Sequence, residues 1–217
     1  MMNNKMELVF ILDKSGSMRG LESDTIGGFN SLLEKQKQKE GSVNVTTVLF
    51  SNEYEKIHDR VPIQQVSPLT LEDYFIGGST ALLDAIGITI NDLIKVQKRK
   101  SKKEVADKVL VVIITDGREN ASQEYTYRRI KKLIEFEEEK YGWEFLFLGA
   151  NIDAAKMADN VGIRRERATN YHSDKKGTSL NFEVLNKTII NVRETNRVDD
   201  QWKRTIEKDY KNRKENK

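Results

Sequence analysis

The sequence predicts an α/β domain: a doubly wound, mainly parallel sheet with one antiparallel edge strand and helices on both faces. Three observations predict it. Short apolar runs that stop at polar turns alternate with segments of helical period, the pattern of successive βαβ units. Residues 109–115 are apolar up to their last position, as a central strand covered on both faces must be. The chain has 217 residues, which suits one domain rather than two.

The elements follow in order. Residues 6–12 form a short apolar run ending at Asp13, read as a buried strand. Leu21, Ile26, Phe29, Leu32 and Leu33 recur at helical spacing, so 22–39 is a helix that Gly41 ends. The β-branched run 43–50, the turn at Ser51-Asn52-Glu53 and the run 54–63 make a hairpin. Pro62 assigns its second strand to the sheet edge, because proline cannot donate to a ladder. Gly77-Gly78-Ser79-Thr80 interrupts the pattern and opens a helix at about 81–98. After the central strand come a helix at 124–140, a strand at 143–148, and helices near 154–160 and 179–193. Trp143 belongs to the core at a strand start. Residues 1–198 are expected to form the domain and 199–217 a charged helical extension that Trp202 pins.

Composition narrows the chemistry. There is no cysteine, which excludes disulfides, thiolate zinc sites and cysteine nucleophiles. The early apolar run is too short for a signal peptide, and no stretch is long enough to span a bilayer. The protein is therefore expected in the cytoplasm, with no membrane partner. Net charge is +3 on a chain that is 33% charged, a mixed surface that gives no argument for nucleic acid. The basic run at 98–103 reads as a solvated loop.

Ligands of open parallel sheets bind outside the carboxyl ends of the strands, and three polar clusters fall at such ends or open a helix nearby. They are Asp13-Lys-Ser-Gly-Ser17, Ser79-Thr80 and Asp116-Gly117. Asp13, Ser15 and Ser17 are spaced by two in a loop, with Gly16 allowing a tight turn, so their side chains can converge. Hydroxyls and carboxylates are the oxygen ligands that Mg²⁺ or Mn²⁺ prefers, and the absence of His and Cys from the set disfavours zinc. Asp84, one turn after Thr80, is expected to stabilise its helix start. Glu119 and Asn120 are expected to cap the next helix, the alternative being a contact with the residues just behind the metal ligands. His58 and His172, the two histidines, have no partners for metal binding or a triad.

Asp13-x-Ser-x-Ser17, Thr80 within Gly-Gly-Ser-Thr-Ala-Leu-Leu-Asp-Ala, and Thr115-Asp116-Gly117 resemble the metal-ion-dependent adhesion site of von Willebrand factor type A domains. The likeness extends over roughly residues 6–195 and fills all five motif positions. It implies a Rossmann-like sheet in which Ser15, Ser17 and Thr80 offer hydroxyls to Mg²⁺ (or Mn²⁺), while Asp13 and Asp116 bind directly or through water. It further implies an open coordination position that a partner protein fills with an Asp or Glu. Many intracellular bacterial and phage members of that family carry the domain alone or in complexes, and this chain is expected to be of that type. The expected function is thus a metal-dependent protein-interaction module without catalysis. The alternative is a metal-dependent phosphoesterase, since Asp13 follows a strand as phosphatase nucleophiles do. Ser15 stands where such an enzyme wants a second Asp, and no Gly-x-x-x-x-Gly-Lys-Ser/Thr loop is present.

Overall fold

A computed structural model describes residues 5–99 and 105–215. Its sheet has six strands in the order β3-β2-β1-β4-β5-β6. They are β1 (Lys5–Asp13), β2 (Ser42–Phe50), β3 (Tyr54–Pro62), β4 (Lys108–Thr115), β5 (Glu144–Gly149) and β6 (Ala168–Asn170). Every pairing is parallel except that of β2 with β3, so the expected antiparallel edge is present. The strand order reverses between β1 and β4, the point at which doubly wound sheets open a crevice.

Six helices cover the sheet among the described residues: α1 (Glu22–Lys37), α2 (Leu82–Arg99), α3 (Tyr127–Tyr141), α4 (Ala154–Val161), α5 (Lys175–Thr195) and α6 (Arg204–Glu215). The period-two alternation of the strands divides the core between two faces. Leu8, Phe10 and Leu12 of β1 pack with Phe29 of α1, Phe182 of α5 and Ile206 of α6. Val9 and Ile11 pack with Ile86 of α2, Ile130 of α3 and Ala158 of α4. Phe10 and Phe29 meet edge to face with ring centroids 5.1 Å apart, a favoured aromatic geometry. No helix among the described residues is long and apolar enough to cross a membrane.

The segment after α5 is not a loose tail. Val198, Trp202 and Ile206 are buried in the same cluster as Phe10 and Phe29, and the Trp202 indole donates to the Glu166 carbonyl at 2.9 Å. The model differs from the sequence reading mainly at short elements and at helix starts. β6, three residues long, is too short to carry a period. α5 starts at Lys175 rather than 179, because Asp174 caps it by accepting from the Gly177 N–H. α3 starts at Tyr127, three residues later than expected, and Thr126 is its cap. Most of the basic run at 98–103 lies outside the described residues.

Both margins of the sheet are irregular. β3 pairs with shifts of register between Val45, Thr47 and Val48. It carries Arg60 at φ 53° and ends on Pro62. Arg60 is held in this left-handed conformation while its guanidinium pairs with the buried Glu7 carboxylate at 2.6 Å.

Candidate metal centre

The carboxyl ends of β1 and β4 are adjacent strands at the reversal, and each delivers a carboxylate. Asp13 is the last residue of β1, and Asp116 follows directly after β4. A single 3₁₀ turn, Gly16–Met18, brings Ser15 and Ser17 back over the strand end. The Gly77–Thr80 loop closes the third side. Gly77 donates to the Lys14 carbonyl at 3.0 Å, and Gly16 donates to the Gly78 carbonyl at 3.1 Å. Gly78 has φ 74°, and a Cβ there would overlap the Asn52 side chain, so this turn needs glycine.

The five residues singled out in the sequence are brought together. Thr80 Oγ1 donates to Ser15 Oγ at 3.0 Å. Ser15 Oγ and Ser17 Oγ lie 3.2 Å apart, and Ser17 Oγ donates to Asp116 Oδ1 at 2.5 Å. Asp13 stands behind this row. Its Oδ1 accepts from the Ser15 N–H at 2.7 Å and its Oδ2 from Thr115 Oγ1 at 2.5 Å. Gly117 borders the cluster: a Cβ there would come within 2.9 Å of Thr80 Oγ1 and 3.1 Å of Ser17 Oγ.

This spacing fits a small hard cation. Adjacent ligands of an octahedral ion with bonds of about 2.1 Å sit about 3.0 Å apart, whereas bonds near 2.4 Å would spread them to about 3.4 Å. The 3.0 and 3.2 Å separations are those of hydrogen-bonded hydroxyls, and they are also close enough for the three oxygens to be neighbours around one small cation. Ser15, Ser17 and Thr80 are the hydroxyls able to ligate, Asp116 presents a carboxylate beside them, and Asp13 orients the loop while lending its charge.

Further residues that sequence reasoning missed hold these in place. Ser173, just before α5, donates to Asp116 Oδ2 at 2.9 Å. The Tyr74 hydroxyl donates to the Asp13 carbonyl, and burial holds that phenol well above its ordinary pKa. The expectations for Glu119 and Asn120 need correction, and Asp84, in the first turn of α2, does more than stabilise that helix start. Asn120 Oδ1 accepts from the Thr80 N–H at 2.8 Å, so it orients a candidate ligand rather than capping the next helix. Glu119 accepts from the Leu83 N–H at 3.0 Å and thereby caps α2, upstream of it. Asp84 accepts from the N–H groups of Gln123, Glu124 and Tyr125, tying the loop after Asp116 to the start of α2. Such long-range pairings leave no spacing signature in a sequence. Of the two histidines, His58 lies away from the cluster, its Nε2 bonded with Ser67 Oγ at 3.1 Å; His172 shares a cavity with Ser17, but its Nε2 is bonded with the Tyr210 carbonyl at 3.1 Å.

Burial pushes the Asp13 carboxyl above the usual aspartate range; hydrogen bonds from Ser15 and Thr115 pull it back in part, while nearby Asp116 raises it further. A carboxyl raised on folding favours the metal-free fold below its unfolded pKa, and that contribution is lost as pH rises through the folded value. Asp13→Asn is therefore expected to leave the metal-free protein at least as stable at neutral pH. A cation favours the ionised form, so protons compete with it. Mg²⁺ affinity should begin to fall, as pH is lowered, above the ordinary aspartate value of about 3.9. Calorimetric Mg²⁺ titrations from neutral pH down to the ordinary aspartate value of about 3.9 check this, and an affinity flat over that whole range would contradict it.

A doubly wound α/β domain with a hydroxyl–carboxylate crevice at its switch point defines the class of protein. The von Willebrand factor type A domain model matches residues 7–159, more than half of the chain, and the chain belongs to that family. The match stops well short of residue 195, to which the resemblance read from the sequence extends. No curated protein sequence matches the chain. Solved structures share the fold. The pilus adhesin SpaC from Lactobacillus rhamnosus GG, in an open conformation, is 13% identical with a TM-score of 0.62; the match covers 85% of this chain and 30% of that one. Proximal thread matrix protein 1 from the mussel byssus, with a zinc-occupied MIDAS motif, is 16% identical with a TM-score of 0.54 over 84% of this chain and 45% of that one. A von Willebrand factor type A protein from Catenulispora acidiphila is 10% identical with a TM-score of 0.54, covering 85% and 42%. At these identities the likeness is one of fold, and the chain spans less than half the length of each.

Proposed function

We propose that this chain is a protein-interaction module that holds Mg²⁺ or Mn²⁺ on Asp13, Ser15, Ser17, Thr80 and Asp116 and captures an acidic side chain of a partner protein. The observation that carries this reading is the convergence of three hydroxyls beside the Asp116 carboxylate, 3.0 and 3.2 Å between neighbouring hydroxyls, bordered by a glycine whose Cβ would intrude. Family membership supports it, since domains of this kind generally mediate protein–protein interaction. A cation held largely by neutral hydroxyls supplies an electrophilic position that a carboxylate can complete. Asp13 and Thr115 fix the loop, Asn120 fixes Thr80, Glu119 fixes the start of α2, and Ser173 fixes Asp116. Binding rather than turnover is the reading we favour: His172, which shares a cavity with Ser17, has its Nε2 engaged by the Tyr210 carbonyl, and no imidazole is hydrogen-bonded to the cluster among the described residues. An intracellular setting suits a chain without cysteine.

Affinity purification with and without chelator identifies the partner. Thr80→Ala is then expected to weaken the complex at least about a hundredfold, as loss of a ligand contact in a desolvated interface does. Chelator and conversion of the partner's acidic residue to its amide should act alike. A complex that withstands both Thr80→Ala and chelator would place the interface elsewhere. Metal-dependent phosphoester hydrolysis abolished by Asp13→Asn would replace this reading with the phosphoesterase.

A further inference from the structure

A second cleft lies at the opposite end of the sheet, where β4 and β5 begin. Its volume is about 180 Å³. Ile94 of α2, Val109 of β4 and Trp143 line it, and Val109 and Trp143 are almost wholly buried. Three of the large apolar side chains that stand exposed, Val105, Phe136 and Tyr141, gather around it. Val105 and Tyr141 line the cleft, and the Phe136 ring sits 6.0 Å from that of Tyr141.

Two polar groups in this apolar setting have unmet bonding capacity. Glu137 of α3 lines the cleft and is 3% exposed, yet its carboxylate has no hydrogen bond or ion pair among the described residues. Burial dominates and pushes its carboxyl above the ordinary glutamate range, while Lys98, which also lines the cleft, and Lys140 pull it back in part without reaching ion-pair distance. The Gln97 side chain spends its oxygen on the Ala106 N–H at 3.3 Å, while its Nε2 is buried with no partner. The Glu137 oxygens are not among the sealed unpaired atoms, so they reach the cleft, where an acid in apolar surroundings is poorly solvated, at a cost to the fold. Glutamine or leucine at this helix position would avoid that cost, and no structural contact requires the acid.

We propose that this cleft binds a small organic cation: a primary amine carried on one aromatic ring, its ammonium on Glu137 and its ring against Trp143 and Ile94. Charge complementarity selects the head group, because the unpartnered acid needs a cationic donor and the ligand supplies one. Size selects the body. Cavities of roughly 150 Å³ accommodate a benzene-sized ring, so this cleft takes a ring with a short aminoalkyl arm. Lys140 already lies over the Phe136 and Tyr141 rings, so Trp143 is the wall left to meet the ligand's ring. This site is separate from the metal centre and does not depend on it.

The test is calorimetric titration of the full chain, in chelator at neutral pH, with phenethylamine, 2-phenylethanol and 3-phenylpropionate as probes. The amine should bind with a Kd near or below about 1 mM, as a fragment-sized ligand allows. It should bind at least about tenfold tighter than the isosteric alcohol, the value of one charge-assisted contact, and the acid should not bind. Glu137→Gln should bring the amine down to the level of the alcohol without lowering the melting temperature. Asp13→Ala should leave amine binding unchanged. Equal affinity for alcohol and amine in the wild-type chain would overturn the proposal, whatever the variant does. So would full amine affinity in Glu137→Gln, or no heat from the amine at all.

Discussion

Gly117→Ala is expected to abolish the stabilisation that Mg²⁺ confers, at the cost to the metal-free protein of displacing the hydrogen-bonded Thr80 and Ser17 hydroxyls. At about 100 times Kd a bound ion adds roughly 2.7 kcal/mol, or about 5–10 °C in melting temperature for a chain of this size. The added methyl would sit 2.9 Å from Thr80 Oγ1 and 3.1 Å from Ser17 Oγ, forcing apart hydroxyls whose spacing makes the site. Nothing else opposes the change: the φ of Gly117 lies outside the left-handed region, so alanine is not strained there. Asp13→Ala should remove the same gain by taking away charge rather than room. Thermal melts with and without Mg²⁺ decide the matter. A full shift in Gly117→Ala would show that the hydroxyls are not ligands, and coincident wild-type melts would remove the metal assignment altogether.

Trp202→Ala is expected to cost about 3–5 kcal/mol, the range for deleting a large buried aromatic side chain. The indole is 7% exposed and packs in the cluster of Phe10, Phe29 and Ile206. It lies beyond the residues that the family model matches, so a domain cut at 198 loses part of its own core. The loss should reach the metal centre as well. α6 holds the loop before α5 through the pairing of Arg213 with Asp174 and the contact of His172 with Tyr210. Ser173, between those two residues, holds Asp116. Deleting residues 199–217 should therefore weaken Mg²⁺ binding in addition to lowering stability. Urea unfolding of Trp202→Ala measures the first effect; a change below about 1 kcal/mol would show the segment to be dispensable.

The long elements were legible because each carries a local signal. The run at β4 is apolar on both faces, Pro62 marks an edge, and the apolar spacing of α1 and α2 repeats every turn. The metal candidates were legible for the same reason: Asp13, Ser15 and Ser17 lie close in sequence, and Asp116 ends an obvious strand. What stayed hidden is what depends on tertiary pairing. β6 exists because three residues happen to run beside Phe147–Gly149 of β5, and three residues carry no period. Ser173 reaches Asp116 across 57 positions, and Asn120 reaches back 40 to Thr80. The caps were nearer to hand. Asp174 three residues before Gly177, and Thr126 three before Arg129, follow ordinary N-cap spacing and mark both helix starts.

The irregular margins of the sheet bear on how the protein behaves when crowded. A straight outer strand presents an evenly spaced row of unsatisfied N–H and C=O groups on which another chain can grow a ladder. One margin here has a proline, a left-handed arginine and two slips of register in a single strand. The other is three residues long, too short to seed a ladder. Strand-to-strand templating, the first step toward cross-β fibres, is thus blocked at both flanks. Copies can be concentrated on a shared scaffold without fusing edge to edge, and association is left to side chains.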